Sequence, residues 1–472
     1  MYKLFKILVS ILIIFTLLWG FSASYSSHNI DNIVHVVAIG IDKSEDSNDN
    51  IKVSFQFVNV SSSSGSEGSS GGENSTVVTS IKSSSLNKAI NLMNSYIGKE
   101  LNFAHCKVIV FSEVFAREGI STEIYTLVNN EELRPNANII ISTSDANSYL
   151  KNSNPNIEKL VTNYYDTFEL TSNFTGYSDD ITLGKFFNNL FTSSQSNTAI
   201  LGRTFKKASS ADSSSDTSQS SQENEQNSAS KGESTQQQKS EQSKGKESSQ
   251  EDEASQNNMN QSSQSSGNES GQSSGGNSLQ NDSGGASLEI SGQRGTQNVG
   301  IAVFKEDKYI DHLSEMESIC HLLITNNVNA FVLSINMEDY PDNLLDLNIS
   351  PVRNTKVEID TSSDQPTISI NVYCDAKILT VGKNYDYANS EVLDKISAHA
   401  EKYLKERLTN YLNKVSKELN CDIDSFSQQA LANFSTIPEW DNYDWASKYA
   451  SANFNVNVNL NVTSSLLFSG DQ

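Results

Sequence analysis

Side chains that could do chemistry are few and scattered in this sequence. The six histidines are dispersed, and the most obvious candidates in the first folded stretch are His105 and Glu113. A lone histidine at the start of a strand is typical of a structural residue. Glu113 stands near a predicted helix start, where its charge would favour the helix dipole without any catalytic role. Neither residue has a partner that would complete a site.

Recognisable active-site motifs are absent from the sequence. It contains no H-E-x-x-H, no G-x-S-x-G, no G-x-x-x-x-G-K phosphate loop and no calcium loop. The four cysteines lack C-x-x-C spacing, so we expect buried free thiols rather than a zinc site or a redox pair. We therefore predict no enzyme and no catalytic, cofactor-binding or metal-binding residues. The cysteines are Cys106, Cys320, Cys374 and Cys421.

One aromatic turn carries acids as well. Trp440 and Trp445 bracket the sequence Asp441-Asn-Tyr-Asp444. Such a turn could hold a sugar, but indole rings next to a predicted strand more commonly pack beneath the sheet. We therefore predict that these tryptophans are packing residues.

Charge excludes one class of partner. The chain has 472 residues and a formal net charge of −23. Phosphate binding needs clustered lysine and arginine, so no nucleic-acid partner is expected. The length is enough for two to four domains of ordinary size.

The elements that would position any site begin with an apolar segment. Lys3 and Lys6 precede an apolar run over residues 7–21, which is followed by a polar hinge and a predicted strand over 33–42. Residues 1–24 can be a removed signal peptide or a retained membrane anchor. Because Lys3 and Lys6 favour the cytoplasmic side of the membrane, both alternatives place the rest of the chain on the opposite, outer side.

Three modules are predicted after this segment. In the first, residues 29–148, strands alternate with helices as in a layered α/β unit. The second, residues 149–343, contains a Ser/Gln/Asn-rich insertion over 207–295. This insertion is predicted to be disordered because it has almost no large apolar residue to bury. The simplest topology pairs a strand over 198–205 with a strand over 299–304 as a hairpin, and the insertion forms the connection between these two strands.

The third module, residues 344–469, shows the clearest periodicity. A hairpin is predicted over 356–376 and a long helix over 391–419, with an apolar stripe that could pack across a sheet or form a coiled coil. Strands are predicted on both sides of this helix in the sequence, which favours packing across a sheet over a coiled coil. Residues 454–462 alternate strictly between apolar residues and asparagine, which predicts a strand with one buried apolar face and one solvent-exposed asparagine face. The fold class is α+β: one N-terminal hydrophobic helix, then three successive α/β-type modules with mixed or antiparallel sheets.

Several motifs, in this order and spacing, resemble the Ger(x)C family of spore germination proteins. They are Val37-Ala-Ile-Gly-Ile-Asp42, Ala104-His-Cys-Lys-Val-Ile-Val110 and Glu113-Val-Phe-Ala-Arg-Glu-Gly-Ile120. The resemblance implies the C subunit of a nutrient germinant receptor. Such a subunit supports assembly and signalling with the A and B subunits on the outer face of the spore inner membrane. In the family the germinant is assigned to the B subunit, so direct germinant binding is not expected here.

The sequence departs from the family pattern at the membrane anchor. Members usually carry a lipoprotein cysteine shortly before the first strand, and Ser24 stands at that place here. Serine cannot form the thioether to diacylglycerol, so no lipidated residue is predicted. A single retained N-terminal anchor is then favoured over a lipid anchor.

Two other functions remain open from the sequence. One is an exported surface or cell-wall-associated binding protein unrelated to germination, which the polar insertion and the asparagine strand would suit. The other is an exported hydrolase, which would need a cluster of acids or of serine and histidine assembled only by the fold.

Overall fold

The structure is a computed structural model that describes residues 1–22, 32–46, 50–58, 76–153, 158, 160–191, 195–205, 295–337, 340–380 and 389–463. Helix α1 comprises Tyr2–Ser22, and its apolar side chains from Leu4 to Phe15 are exposed. Within the described part of the chain, no helix has both the length and the apolar character that a membrane span requires.

The first of the two sheets contains nine strands and is accompanied by seven described helices. The strands are β1 Ile33–Lys43, β2 Ile51–Val58, β3 Thr76–Ser83, β4 Glu100–Asn102, β5 Val108–Ser112, β6 Asn138–Ser142, β7 Thr198–Thr204, β8 Thr296–Lys305 and β9 Lys308–Leu313. The helices are α2 Leu86–Ile97, α3 Glu113–Ala116, α4 Ser121–Val128, α5 Ala146–Asn152, α6 Val161–Asp166, α7 Phe168–Thr175 and α8 Leu183–Leu190.

The second sheet contains five strands and follows helix α9, which comprises Glu315–Thr325. Its strands are β10 Phe331–Met337, β11 Tyr340–Pro351, β12 Lys356–Asp360, β13 Thr367–Ile378 and β14 Asn453–Thr463. The helices of this region are α10 Ser390–Asn413, continued by a π-helical segment Lys414–Glu418, then α11 Phe426–Leu431, α12 Ile437–Tyr443 and α13 Trp445–Tyr449.

The nine-stranded sheet has a parallel centre with antiparallel hairpins on both sides. Its strand order is β3-β2-β1-β5-β6-β7-β8-β9, and β4 pairs with the start of β1. The pairs β1–β5, β5–β6 and β6–β7 are parallel. Central strands such as β5 are buried on both faces, as expected for parallel strands covered by helices. Helices α2, α4 and α8 cover one face, and α5 to α7 cover the other.

Strands β7 and β8 pair across the polar insertion. They are antiparallel, with Thr198 opposite Val303, which confirms the pairing predicted from sequence. Strand β9 returns beside β8. Gly300 adopts a left-handed φ of 100° there, and a Cβ atom would lie 2.8 Å from the carbonyl oxygen of Leu313. Only glycine fits this position without strain.

The five-stranded sheet is built around β13. This strand pairs in parallel with β14 along one side, and antiparallel with β12 and then β11 along the other. One face of β13 and β14 is buried, while the asparagines of β14 face solvent. The alternation predicted over 454–462 and the hairpin predicted over 356–376 are thus confirmed.

Helix α10 packs across this sheet. Its stripe of Ile396, Ala400, Leu404 and Leu408 is fully buried in the same core as the inward side chains of β13 and β14. The predicted sheet packing is therefore confirmed, and the coiled-coil alternative is wrong for this helix.

The same helix also protects a sheet edge. The outer side of β14 would present unpaired N–H groups, but Leu460 N donates to Glu401 Oε1 at 2.8 Å. Two residues further, Val462 N donates to Ser397 Oγ at 3.1 Å. Because unpaired strand edges recruit other chains, these bonds both stabilise β14 and discourage edge-to-edge association.

Replacement of Glu401 by alanine is expected to lower the free energy of unfolding by about 1–2 kcal/mol, since a charge-assisted bond to the edge is lost. Urea denaturation of the full-length chain measures this change, and light scattering measures any added self-association. Glu406→Ala, at an exposed position of the same helix, is the matched control. An equal effect of both changes would contradict the edge role of Glu401.

The predicted α+β fold class, with its N-terminal hydrophobic helix, is confirmed. Strands from 29–148 and from 149–343 share one sheet through the β6–β7 pairing. The division into three modules remains a prediction, because sharing a sheet does not show how the chain divides into folding units. All but the last residue of the predicted disordered insertion 207–295 lies outside the described residues, and so does Ser24.

Candidate functional site

A buried histidine lies where the two sheets meet. His321 belongs to α9, a helix with buried side chains from Ser318 to Ile324. The helix starts with a capping box between Ser314 and Glu317, an arrangement that satisfies free N–H groups at both residues. Because α9 packs between β8–β9 and the second sheet, its histidine has no route to solvent and is 2% exposed.

Two carboxylates hold the imidazole from opposite sides. Nδ1 of His321 lies 2.8 Å from Asp424 Oδ1, and Nε2 lies 3.6 Å from Asp179 Oδ2, an ion-pair distance. The hydroxyl of Tyr411 donates to Asp424 at 2.8 Å and lies 3.1 Å from Nδ1. We call Asp179, His321, Tyr411 and Asp424 the His321 cluster. Its members are all buried.

The cluster joins distant parts of the chain. Asp179 stands before α8, beside the nine-stranded sheet, and it accepts from the Thr198 hydroxyl at 3.0 Å and from Asp180 N at 2.8 Å. The other three members belong to α9, α10 and the segment before α11. Replacing a whole buried ion pair by apolar residues often changes stability little, but removing one partner alone is costly. The cluster therefore links elements that pack against both sheets.

Electrostatics keep the imidazole protonated. Burial alone would lower the pKa of His321, but Asp179 and Asp424 together raise that pKa to about 10. Burial raises the pKa of Asp179, yet His321 and the hydrogen bonds outweigh it and leave that pKa below its usual value. At neutral pH the imidazole of His321 is therefore a cation, and it lies between Asp179 and Asp424.

The stability of the chain should fall at alkaline pH because of His321. Its folded-state pKa of about 10 is raised above the unfolded value of about 6.5. Its stabilising contribution is therefore complete below about pH 6.5 and is lost as the pH rises through about 10. Burial raises the pKa of Tyr411 well above its ordinary value, so Tyr411 does not titrate first.

Urea denaturation between about pH 7 and about pH 11 tests this expectation. The wild-type chain should lose more stability over this range than the His321→Gln variant, which has no charge to lose there. The two chains differ at this one position, so the difference between their stability curves isolates His321. Parallel curves for the two chains would contradict a charged imidazole in the fold.

A second buried acid lies beside the cluster. Asp422 accepts from Phe426 N at 2.9 Å, from Ser427 N at 2.6 Å and from Trp445 Nε1 at 3.2 Å. Burial raises the pKa of Asp422 to about 6 despite these bonds. Its backbone carbonyl also accepts from Ser196 N at 3.0 Å. Asp422 thus caps α11, anchors an indole and contacts the segment before β7.

A cleft of about 470 Å³ opens at this meeting of the two sheets. We call it the junction cleft. Its walls come from α4, from the segment before β7, from the β8–β9 turn and from the C-terminal helices. Residues of its wall include Tyr125, Gln195, Lys305, Asp422, Trp445 and Tyr449.

The structure separates the residues that the sequence singles out. Glu113 begins α3 and pairs with Arg117 at 2.7 Å, whereas His105 is exposed and lies edge-on to His35. Trp440 and Trp445 are 9% and 2% exposed and stack at 5.9 Å, which confirms packing for this turn. The four cysteines are free and buried, as predicted.

Sequence reasoning missed the His321 cluster and Asp422. Two features could have indicated them: His321 stands in an otherwise apolar helical segment, and Asp422 and Asp424 stand next to apolar residues, so all three would need buried partners. Among the described residues, no group of three or more His, Cys, Asp and Glu side chains could hold a metal ion.

Fold and site define an α+β protein of two sheets with an ion-pair cluster where they meet. Residues 26–203 match the spore germination protein N-terminal domain. Residues 299–465 match the spore germination B3/GerAC-like C-terminal domain. The chain belongs to the Ger(x)C family of spore germination proteins. Asp179 comes from the first matched domain, and the other three members of the cluster come from the second.

Among solved structures, the crystal structure of the GerBC protein is similar. It has 11% sequence identity and a TM-score of 0.47, and the alignment covers 90% of this chain and 98% of that chain. A comparison with curated proteins gives no match.

Proposed function

We propose that the chain is a non-enzymatic, membrane-associated subunit of a spore nutrient germinant receptor. In this role it supports assembly and signalling with the A and B subunits during germination. The observation that carries the proposal is the match of both halves of the chain to germination protein domains, over 26–203 and 299–465. The outer face of the spore inner membrane is the proposed location.

Two structural features support an assembly role. The first is helix α1, whose apolar side chains, such as Phe5, Leu8 and Leu12, are exposed and would be favourable in contact with a membrane. The second is the His321 cluster, whose buried contacts join elements beside both sheets, as would suit a scaffold that presents surfaces to neighbouring subunits. Single retained anchoring through α1, rather than lipid anchoring, is part of the proposal.

Germination of a deletion strain tests the role. Spores without the chain should lose the response to at least one nutrient, and the wild-type gene should restore it. Where a second receptor could compensate, its gene is deleted in the same strain. A normal response to every nutrient in that strain would contradict the proposal.

Fractionation of spores tests the location. An antibody to residues 299–465 should recover the chain with the inner membrane, and removal of residues 2–22 should release it. Recovery of the intact chain with the cell wall would instead favour an exported wall-associated binding protein. Recovery in a soluble fraction would contradict membrane association.

A further inference from the structure

Three aromatic side chains form a cluster on the helices that cover the first sheet. The ring centroid of Tyr125 in α4 lies 5.7 Å from that of Phe187 in α8 and 5.9 Å from that of Phe191, the C-cap residue of α8. The centroids of Phe187 and Phe191 are 4.8 Å apart. Every pair is T-shaped, one of the geometries that aromatic pairs prefer. We call these three residues the aromatic patch.

The aromatic patch is open to solvent. Tyr125 is 41% exposed and Phe191 is 61% exposed, whereas Phe187 packs partly buried against the core of the nine-stranded sheet. Helix α4 already buries Ile124 and Leu127 on its inner side, so the fold needs no aromatic ring at the outer position 125. Clustered apolar side chains at a protein surface mark interaction sites, and tyrosine is among the residues that most often anchor an interface.

Two recesses adjoin the aromatic patch. Tyr125 contributes to the wall of the junction cleft and also to the wall of a second recess of about 550 Å³. The second recess is lined by α4, by the segment that follows it and by Asn87 of α2. A partner side chain that packs on Tyr125 therefore leaves room for neighbouring side chains in both recesses.

The charges around these recesses indicate the kind of partner. Glu131 and Glu132 contribute to the second recess, and Glu306 and Asp307 contribute to the junction cleft. In the part of the chain that the structure describes, none of these four carboxylates takes part in an ion pair. Lys305 is the one cationic side chain among the described residues of either wall.

Charge complementarity then selects among occupants. The chain carries a formal net charge of −23, so a second copy of it would be repelled, and so would an anionic membrane surface. A partner with positive charge on both sides of an apolar side chain is attracted. Lysine and arginine side chains also interact favourably with the faces of tyrosine and phenylalanine rings.

We propose that the aromatic patch binds a basic segment of another protein. An apolar side chain of that segment packs on Tyr125 and Phe191, and the lysine or arginine side chains that flank it reach the carboxylates of the two recesses. The apolar contact supplies affinity by removing exposed rings from water, and the charges supply orientation and a fast encounter. This binding does not depend on the receptor role, because the surface offers the same chemistry to any basic segment.

Isothermal titration of the full-length chain with three matched peptides tests the surface. The first peptide has a pair of phenylalanines between two pairs of lysines. The second has alanine in place of phenylalanine, and the third has glutamate in place of lysine. The first should bind with a dissociation constant of about 1 mM or tighter, at least about tenfold more tightly than either of the others. No binding of the first peptide, or equal binding of the second or third, would overturn the proposal.

One aromatic variant and its control locate the binding. Phe191→Ser removes the most exposed ring of the aromatic patch and should weaken binding of the first peptide at least about fivefold. Tyr96→Ser changes an exposed aromatic residue of α2, outside the patch, and should leave binding unchanged. Equal binding by these two variants would contradict the location. If Phe191→Ser weakened attachment to phosphatidylcholine vesicles but not peptide binding, the patch would be a membrane contact and the proposal would be wrong.

A charge variant tests the second part of the proposal without altering any ring. The double variant Glu131→Gln with Glu306→Gln changes two side chains without ion pairs, so it should fold as the wild type does, and thermal unfolding verifies this. It should bind the first peptide at least about threefold more weakly. Glu406→Gln, at an exposed position of α10, is the control. Binding of the double variant as tight as that of the control would overturn the role of the carboxylates.

Discussion

Replacement of His321 by leucine is expected to lower the free energy of unfolding of the full-length chain by about 3–5 kcal/mol. The imidazolium lies between Asp179 and Asp424, with Nδ1 at 2.8 Å and Nε2 at 3.6 Å from their oxygens. Leucine would leave both carboxylates buried without a counter-charge. Urea denaturation near neutral pH, followed by tryptophan fluorescence, measures the loss.

Two comparisons make this result specific. His105→Leu changes an exposed histidine and should alter stability by no more than about 0.5 kcal/mol. The double variant Asp179→Leu with His321→Leu should lose less than the sum of the single losses, by about 0.5–3 kcal/mol. Strict additivity would show that the two residues do not interact.

Replacement of Trp445 by alanine should have an effect of similar size, about 3–5 kcal/mol. The indole is 2% exposed and belongs to the core of the second sheet. It also donates to Asp422 at 3.2 Å, so alanine removes both packing and a donor from a buried acid. Urea denaturation again measures the loss.

Conservative changes separate the two contributions of Trp445. Trp445→Phe keeps an aromatic ring and loses the donor, which should cost about 1.5–3 kcal/mol. Trp440→Phe, the control, alters the neighbouring ring of the stack and leaves the donors of Asp422 in place. If both phenylalanine variants lost the same stability, the bond to Asp422 would have no special importance.

Local periodicity explains what the sequence could predict. The apolar stripe of α10 and the alternation of β14 each depend on residues close in the chain, and both elements form where the pattern predicts them. The β7–β8 pairing was predictable because two apolar strands flank a long polar segment. Loop closure costs little more for a long segment than for a short one.

Contacts between distant segments explain what the sequence could not predict. The parallel order β1-β5-β6-β7 is set by helices packing on both faces, and no local pattern specifies it. The His321 cluster likewise needs Asp179 and Asp424, which are 142 residues before and 103 residues after the histidine. The residues around Asp179 and Asp424 in the sequence do not indicate that either acid contacts His321.

Both matched domains contribute side chains to the His321 cluster. Under the proposed receptor role, a change in the cluster is expected to alter how the two domains are held together. In a receptor subunit, a weakened cluster should therefore impair assembly before it abolishes folding of either sheet. His321→Gln, which retains a polar side chain of similar length, is suited to test this in spores.

The most direct test of the proposed role is purification of the tagged chain from detergent-solubilised spore inner membranes, with the bound proteins identified by mass spectrometry. The receptor-subunit account predicts that the A and B subunits are recovered with the wild-type chain, and in lower amount with His321→Gln. Recovery of the folded chain without either subunit would contradict it.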